Sequence, residues 1–119
     1  MRQPDDSALV LHMLMLARRV RDHTERLSHE DFAADDNLQL ATMLAIQSIG
    51  EAARRTSEEF RTGHPEIDWP AIIGMRQRLP HEHVRVSIDL VWATAVIDIP
   101  ALIALFEPLV PRDGGAETP

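Results

Sequence analysis

The segment Gly74-Met75-Arg76-Gln77-Arg78-Leu79-Pro80-His81-Glu82-His83-Val84-Arg85 gathers the residue types most able to do chemistry in this chain. From Arg76 to Arg85 three arginines stand against one acid, Glu82, with two histidines between them. Arg76 falls near the end of a helix and His81 just beyond it, so a permanent forked cation and a group titrating near neutrality can meet at one spot. Such a pair suits metal-free cleavage of an RNA phosphodiester. Imidazole takes the proton of the 2′-hydroxyl, and guanidinium stabilises the charge growing on pentavalent phosphorus. Arg78 and Arg85 are positioned to hold phosphate, and Gln77 offers an amide beside Arg76. Taken bare, an arginine and a histidine five apart are more often a helix-end cation pair favoured by the macrodipole. His81 and His83 alone are too few ligands for a metal and the chain has no cysteine, so neither metal nor cofactor is expected. His12, His23, His29 and His64 recur in no ligand spacing and are read as polar surface or helix-end residues.

The elements that must carry these residues are helical throughout. Asp5, Asp6 and Ser7 offer caps and negative charge at the start of a first helix, about Ser7 to Leu27, with Val10, Met13, Leu14, Ala17 and Val20 on its inward stripe. Leu11 and Met15 fall off that stripe. They mark either a central helix packed on two sides or a face that meets a second chain. Ser28 and Asp31 form a short capped turn. Asp35, Asp36 and Asn37 then cap a second long helix whose inward face is Leu38, Ala41, Leu44, Ala45, Ile49, Ala52, Thr56 and Phe60. Gly63 in a left-handed cap and Pro65 end it. Asp68, Trp69 and Pro70 open a third, shorter helix through Met75 to Leu79, and Pro80 turns the chain out of it. Residues 81 to 86 are expected to form a loop or short irregular link. Ser87 caps a fourth helix, with Ile88, Val91, Trp92, Ala95, Val96, Ile99, Leu102, Ile103 and Phe106 inward, which Pro100 bends rather than ends. The result is an all-α antiparallel bundle of four main helices plus a short helical turn. It forms a single domain over 1–109, with residues 110–119 as a disordered, Gly- and Pro-rich tail.

Glu51 sits mid-helix among alanines. It either faces the motif helix and orients Arg76, or it is solvated or paired with Arg55 one turn on. Composition narrows the partners. With 12 basic residues, all arginine, against 19 acidic ones, the net charge is −7, which excludes a generic polybasic coat for nucleic acid or membrane. A second local excess, Arg18, Arg19, Arg21 and Arg26 against Asp22 and Glu25, shows that positive charge is concentrated in places. Three Phe and two Trp make a base-stacking platform improbable. The apolar run Ala8 to Ala17 is too short for a membrane span and lacks the flanks of a signal peptide, so a cytoplasmic protein is expected.

The runs IGEAARR at Ile49 to Arg55, HPEIDW at His64 to Trp69, IIGMRQRLPHEHV at Ile72 to Val84 and IDLVW at Ile88 to Trp92 carry a resemblance. Over about Ser7 to Leu109 the chain resembles the HepT-like branch of the HEPN superfamily, ribonuclease toxins paired with minimal nucleotidyltransferase antitoxins. The resemblance implies a helical HEPN fold and a homodimer in which the R-x4-H motifs of both subunits face one cleft as a metal-independent endoribonuclease site. The motif arginine falls on Arg76 and the motif histidine on His81, and the RNA substrate would be tRNA or mRNA. Gln77 stands where the family most often has Asn. It keeps the amide and lengthens its reach. His83 replaces the tyrosine to which the partner enzyme attaches AMP in relatives, and histidine has no phenol. Either neutralisation works through complex formation alone, or AMP goes to another side chain, or His83 has a different role. The competing class is a non-catalytic subunit that binds a nucleotide or docks a nucleotidyltransferase. A purely structural helical dimer is a third.

Overall fold

Short polar side chains decide where each helix begins. In the computed structural model, which describes residues 5–78 and 87–111 with the backbone alone at 77 and 78, Asp5 accepts the Ala8 N–H at 2.8 Å and opens α1, Asp6–Thr24. Ser28 and Asp31 form a reciprocal capping box on α2, His29–Ala33. Asp35 caps α3, Asp36–Arg55, and Ser57 caps α4, Glu58–Gly63. Asp68 caps α5, Trp69–Gly74, with Pro70 in the first turn, and Met75–Arg78 tightens into a 3₁₀ turn. Ser87 caps α6, Ile88–Ala93, which runs through a π-helical stretch, Thr94–Asp98, into α7, Ile99–Phe106. Among the described residues there is no strand, and the chain is an all-α bundle.

The bundle is built around α1, which packs on α3 along one side and on α7 along the other. Its inward stripe, Val10, Met13, Leu14, Ala17 and Val20, is buried, while Leu11 and Met15 are exposed. On its other flank α3 meets α5 and the 3₁₀ turn that follows it. Trp69 fixes α5 in place. Its ring is buried against Phe60 and Phe106, and its indole N–H donates to the His64 carbonyl at 3.1 Å.

Several expectations are corrected. The first helix ends at Thr24 rather than Leu27. The second long helix does not run on to Phe60. Thr56 adopts an extended conformation, and the Asp6 carboxylate accepts both the Ser57 N–H and the Ser57 hydroxyl at 2.7 Å, so a tertiary clamp breaks the helix. The inward face of α3 is also shifted. Thr42, Ile46, Ile49, Gly50, Ala52 and Ala53 are buried, because the helix is covered on two flanks, whereas Ala41 and Leu44 are exposed. Gly63 is not in the left-handed region, since no described glycine has positive φ. The helix stops at His64 because proline follows it. Pro100 stays within continuous helix. The π-helical stretch just before it supplies the widened turn that its missing N–H and bulky ring require.

Among the described residues, Ile88–Leu109, not Ala8 to Ala17, is the stretch long and apolar enough to cross a membrane by length and composition. Val91, Ala95, Ile99, Leu102, Ile103 and Phe106 on one face of this stretch pack into the bundle, while Ile97 and Leu105 on it are exposed. Val110 also packs against the core, which moves the end of the packed chain one residue past Leu109. The expected loop at residues 81 to 86 and the rest of the expected tail, 112–119, lie outside the described residues.

Candidate active-site cleft

Arg76 lies on the 3₁₀ turn, and its position follows from how closely α5 approaches α3. At Gly50 a Cβ would fall 3.2 Å from the carbonyl oxygens of Ile72 and Ile73 and 3.3 Å from the Arg76 Cβ. A side chain here would push the two elements apart by a few tenths of an ångström, and glycine lets them come this near without strain. One residue on, Glu51 accepts a hydrogen bond on Oε1 from Arg76 Nη1 at 2.8 Å. The same carboxylate holds Arg54, with Nε at 3.2 Å from Oε1 and Nη2 at 2.6 Å from Oε2. Glu51 therefore bridges two guanidinium groups, Arg54 at i+3 and Arg76 across the interface. It does not pair with Arg55. The Arg54 hydrogen bond, together with the charges of Arg54, Arg76 and Arg55, holds the Glu51 carboxyl below the ordinary carboxylate range, although its partial loss of water works the other way. At neutral pH it is fully ionised.

That arrangement leaves Arg76 oriented but not consumed. Its Nη1 is committed to Glu51, its Nε is buried without a hydrogen-bond partner among the described residues, and its Nη2 is free of any described partner. The side chain is 37% exposed and opens into a cleft of about 480 Å³ between α1 and α3. Leu9 and His12 line it from α1, and Gln47, Ser48, Glu51 and Arg55 line it from α3. The Asp6 clamp on Ser57 ties the start of α1 to the end of α3, which brings His12 and Arg55 to the same cleft. Arg61 reinforces that end by donating to the Ala53, Arg54 and Thr56 carbonyls. A larger hollow of about 810 Å³ lies between the start of α1 and the chain after α7, but its charged residues, Arg18 and Glu107, are closed on each other at 3.0 Å. It presents no free cation among the described residues.

Of the residues singled out by sequence, Arg76 and Glu51 come together. For Gln77 and Arg78 only the backbone of the 3₁₀ turn is described, and His81, His83 and Arg85 lie outside the described residues. Sequence reasoning missed His12, Gln47, Ser48 and Arg55. The signal was present in their spacing: Leu44, Gln47, Ser48, Glu51 and Arg55 recur at helical intervals along one edge of α3.

The sequence profile of the family described as Ribonuclease HepT-like matches residues 13–109, a stretch that includes both Glu51 and Arg76. The chain belongs to this HepT-like ribonuclease family. "Probable ribonuclease HepT" of Thermococcus cleftensis is 36% identical over 90 residues, covering 76% of this chain and 82% of the relative. A protein of Caldanaerobacter subterraneus named as a candidate RNase is 34% identical over 91 residues, covering 76% and 81%. One of several such proteins in Methanocaldococcus jannaschii is 26% identical over 106 residues, covering 89% and 88%. No solved structure matches. For a HepT-like ribonuclease, a cleft with an oriented guanidinium at one end is a place where the phosphodiester of RNA can be held and its developing charge stabilised.

Proposed function

We propose that this protein is a metal-independent endoribonuclease, the toxin of a toxin-antitoxin pair, acting in the cytoplasm on tRNA or mRNA through Arg76 and His81. The observation that carries this is the Glu51–Arg76 pair at 2.8 Å in an open cleft, at the first residue of the R-x4-H motif. A guanidinium held by a carboxylate behind it and free on another corner is preorganised for charge that appears only in the transition state. In the reaction His81 removes the 2′-hydroxyl proton, the 2′-oxygen attacks phosphorus, and Arg76 neutralises the pentavalent centre as the P–O5′ bond breaks and the imidazolium returns its proton to the leaving 5′-oxygen. The product is a 2′,3′-cyclic phosphate. Arg78 and Arg85 hold flanking phosphates, and Gln77 supports Arg76.

The working unit is a homodimer whose two motif copies share one cleft, and the exposed Leu11 and Met15 of α1 are suited to meeting a second chain. A cognate minimal nucleotidyltransferase neutralises it. With histidine at position 83, the control mechanism is read from intact mass of the co-expressed pair before and after ATP. A gain of one or more AMP units means modification, and no gain means control by complex formation.

The decisive experiment is cleavage of RNA by purified protein in the presence of a chelator, with the product ends identified. Arg76→Ala and His81→Ala are each expected to lower the rate at least about a hundredfold while the dimer persists. Full activity in either variant would overturn the assigned site. Wild-type protein that binds nucleotide but cleaves no RNA points instead to a non-catalytic docking subunit.

A further inference from the structure

The arginines of α1 and α3 divide into two sets. Arg18 pairs with Glu107, Arg21 with Asp22, and Arg54 with Glu51. Arg19 and Arg55 have no ion-pair or hydrogen-bond partner among the described residues, and both are exposed. These two unpaired arginines line the furrow between α1 and α3, and the three paired ones do not. Arg55 opens onto the 480 Å³ cleft beside Arg76. Arg19 lies farther along α1, in a second hollow of about 340 Å³ whose walls include His23. The two hollows share Leu44 and Ser48, so they form one furrow. From Leu9 to His23 it follows α1 for about 20 Å at 1.5 Å per residue.

Along that length the lining residues include three arginines and two histidines against one carboxylate, Glu51, which Arg54 and Arg76 already share. On a chain of net charge −7 this is a local inversion of sign. An unpaired guanidinium in a concave furrow is a phosphate ligand that gives up no protein ion pair on binding. The exposed Leu44, 64% accessible, adds an apolar contact for a base midway along.

We propose that the α1/α3 furrow is the binding path of single-stranded RNA leading to Arg76, with Arg19 and His23 as a distal phosphate subsite. The inference rests on the ribonuclease function proposed above and adds to it a location for substrate remote from the reacting phosphate. The distal subsite acts on long substrates only, because a dinucleotide seated at Arg76 does not reach 20 Å along α1.

The probe is a fluorescein-labelled, single-stranded 2′-O-methyl oligonucleotide, which lacks the attacking hydroxyl and so is bound without being cut. Anisotropy is followed across salt concentrations for wild type, Arg19→Ala, Arg19→Glu, His23→Ala and the control Arg18→Ala. Arg19→Ala is expected to weaken binding about three- to tenfold and to reduce the salt slope by about 0.7, with Arg19→Glu larger and Arg18→Ala unchanged. Cleavage of a ribodinucleotide is expected to stay at the wild-type rate in Arg19→Ala, while kcat/KM on long RNA falls in step with affinity. Wild-type affinity and salt slope in both Arg19 variants would overturn the furrow while leaving the ribonuclease function intact. Loss of self-association without loss of RNA affinity would also overturn it, making the furrow a contact between copies. Wild-type protein that neither binds nor cleaves RNA removes both proposals together.

Discussion

Gly50→Ala tests whether the approach of α5 to α3 is what holds Arg76 in register. The added Cβ would meet two backbone carbonyl oxygens at 3.2 Å and the Arg76 Cβ at 3.3 Å, where ordinary contacts begin at 3.4 Å. Backbone cannot swing aside as a side-chain tip can, so the α5 and 3₁₀ segment must retreat by a few tenths of an ångström. Overpacking of this kind costs about 1–3 kcal/mol, and alanine in place of glycine inside a helix returns about 0.5–1 kcal/mol. The net loss is about 0.5–2 kcal/mol, a fall in Tm of roughly 2–8 °C for a domain of this size. The retreat also pulls Arg76 away from Glu51. Misplacement by 1 Å costs about a hundredfold in rate, so a shift of a few tenths is expected to lower kcat/KM about three- to tenfold. Gly74→Ala is the matched control, because nothing lies within 4 Å of the Cβ it would add. That variant is expected to melt at or slightly above wild type and to keep full activity. Thermal melts followed by circular dichroism and cleavage of a labelled RNA measure both effects. A Gly50→Ala protein that melts no lower than Gly74→Ala and cleaves at the wild-type rate would refute the reasoning.

Glu51→Gln keeps an oxygen acceptor but removes the charge shared by Arg54 and Arg76. Both pairs are partly exposed, so the stability loss stays within about 1 kcal/mol while kcat falls about tenfold with KM little changed, and Glu51→Asp restores part of it. The folded-state pKa of Glu51 lies below its ordinary value of 4.5, so its stabilisation is complete above that pH and is lost as pH falls through the lower folded-state value. Denaturation melts of wild type and Glu51→Gln should therefore differ at pH 7 and converge on acidification below 4.5. A difference that grows on acidification would contradict the assignment. Asp6→Ala leaves the Ser57 N–H and hydroxyl without the acceptor they share at 2.7 Å, a loss of about 1–3 kcal/mol measurable by urea denaturation. It should also loosen the end of α3 that carries Arg55, seen as faster amide exchange at residues 52–55.

What could be read from sequence was decided by neighbours in the chain. Asp5, Ser28 with Asp31, Asp35, Asp68 and Ser87 cap helices through residues three positions away, so the helix starts were visible in advance. The α1 stripe follows from helical period alone. The break at Thr56 was not visible because its cause, Asp6, lies 51 residues earlier. The register of α3 was misread at Ala41 and Leu44 because a helix covered on two flanks buries small residues such as Gly50 and Ala53 against the second neighbour. A hydrophobic stripe does not record them. Glu51 had Arg54 and Arg55 within one turn, and spacing does not choose between them. The structure pairs it with Arg54 and adds Arg76 from another element. His12 reads in sequence as a surface histidine and Arg55 only as a candidate partner of Glu51, because they share a cleft only once α1 and α3 are packed.

The net charge of −7 is a sum over surfaces that act separately. At physiological ionic strength the Debye length is about 8 Å, shorter than the furrow, so acidic residues on the far side of the bundle are largely screened from a phosphate lying between α1 and α3. What a phosphate meets there depends on which guanidinium groups the fold has already neutralised. Arg18, Arg21 and Arg54 face carboxylates, Arg61 faces backbone carbonyls, and the two arginines of α1 and α3 left over, Arg19 and Arg55, line one concave strip ending at Arg76. Glu51 does not cancel that strip. Its charge is divided between two arginines, and its geometry fixes the guanidinium that faces the cleft. An acidic protein organised this way repels nucleic acid over most of its surface and accepts it along one line. Selectivity for a path then comes from the pattern of internal ion pairs rather than from the number of basic residues.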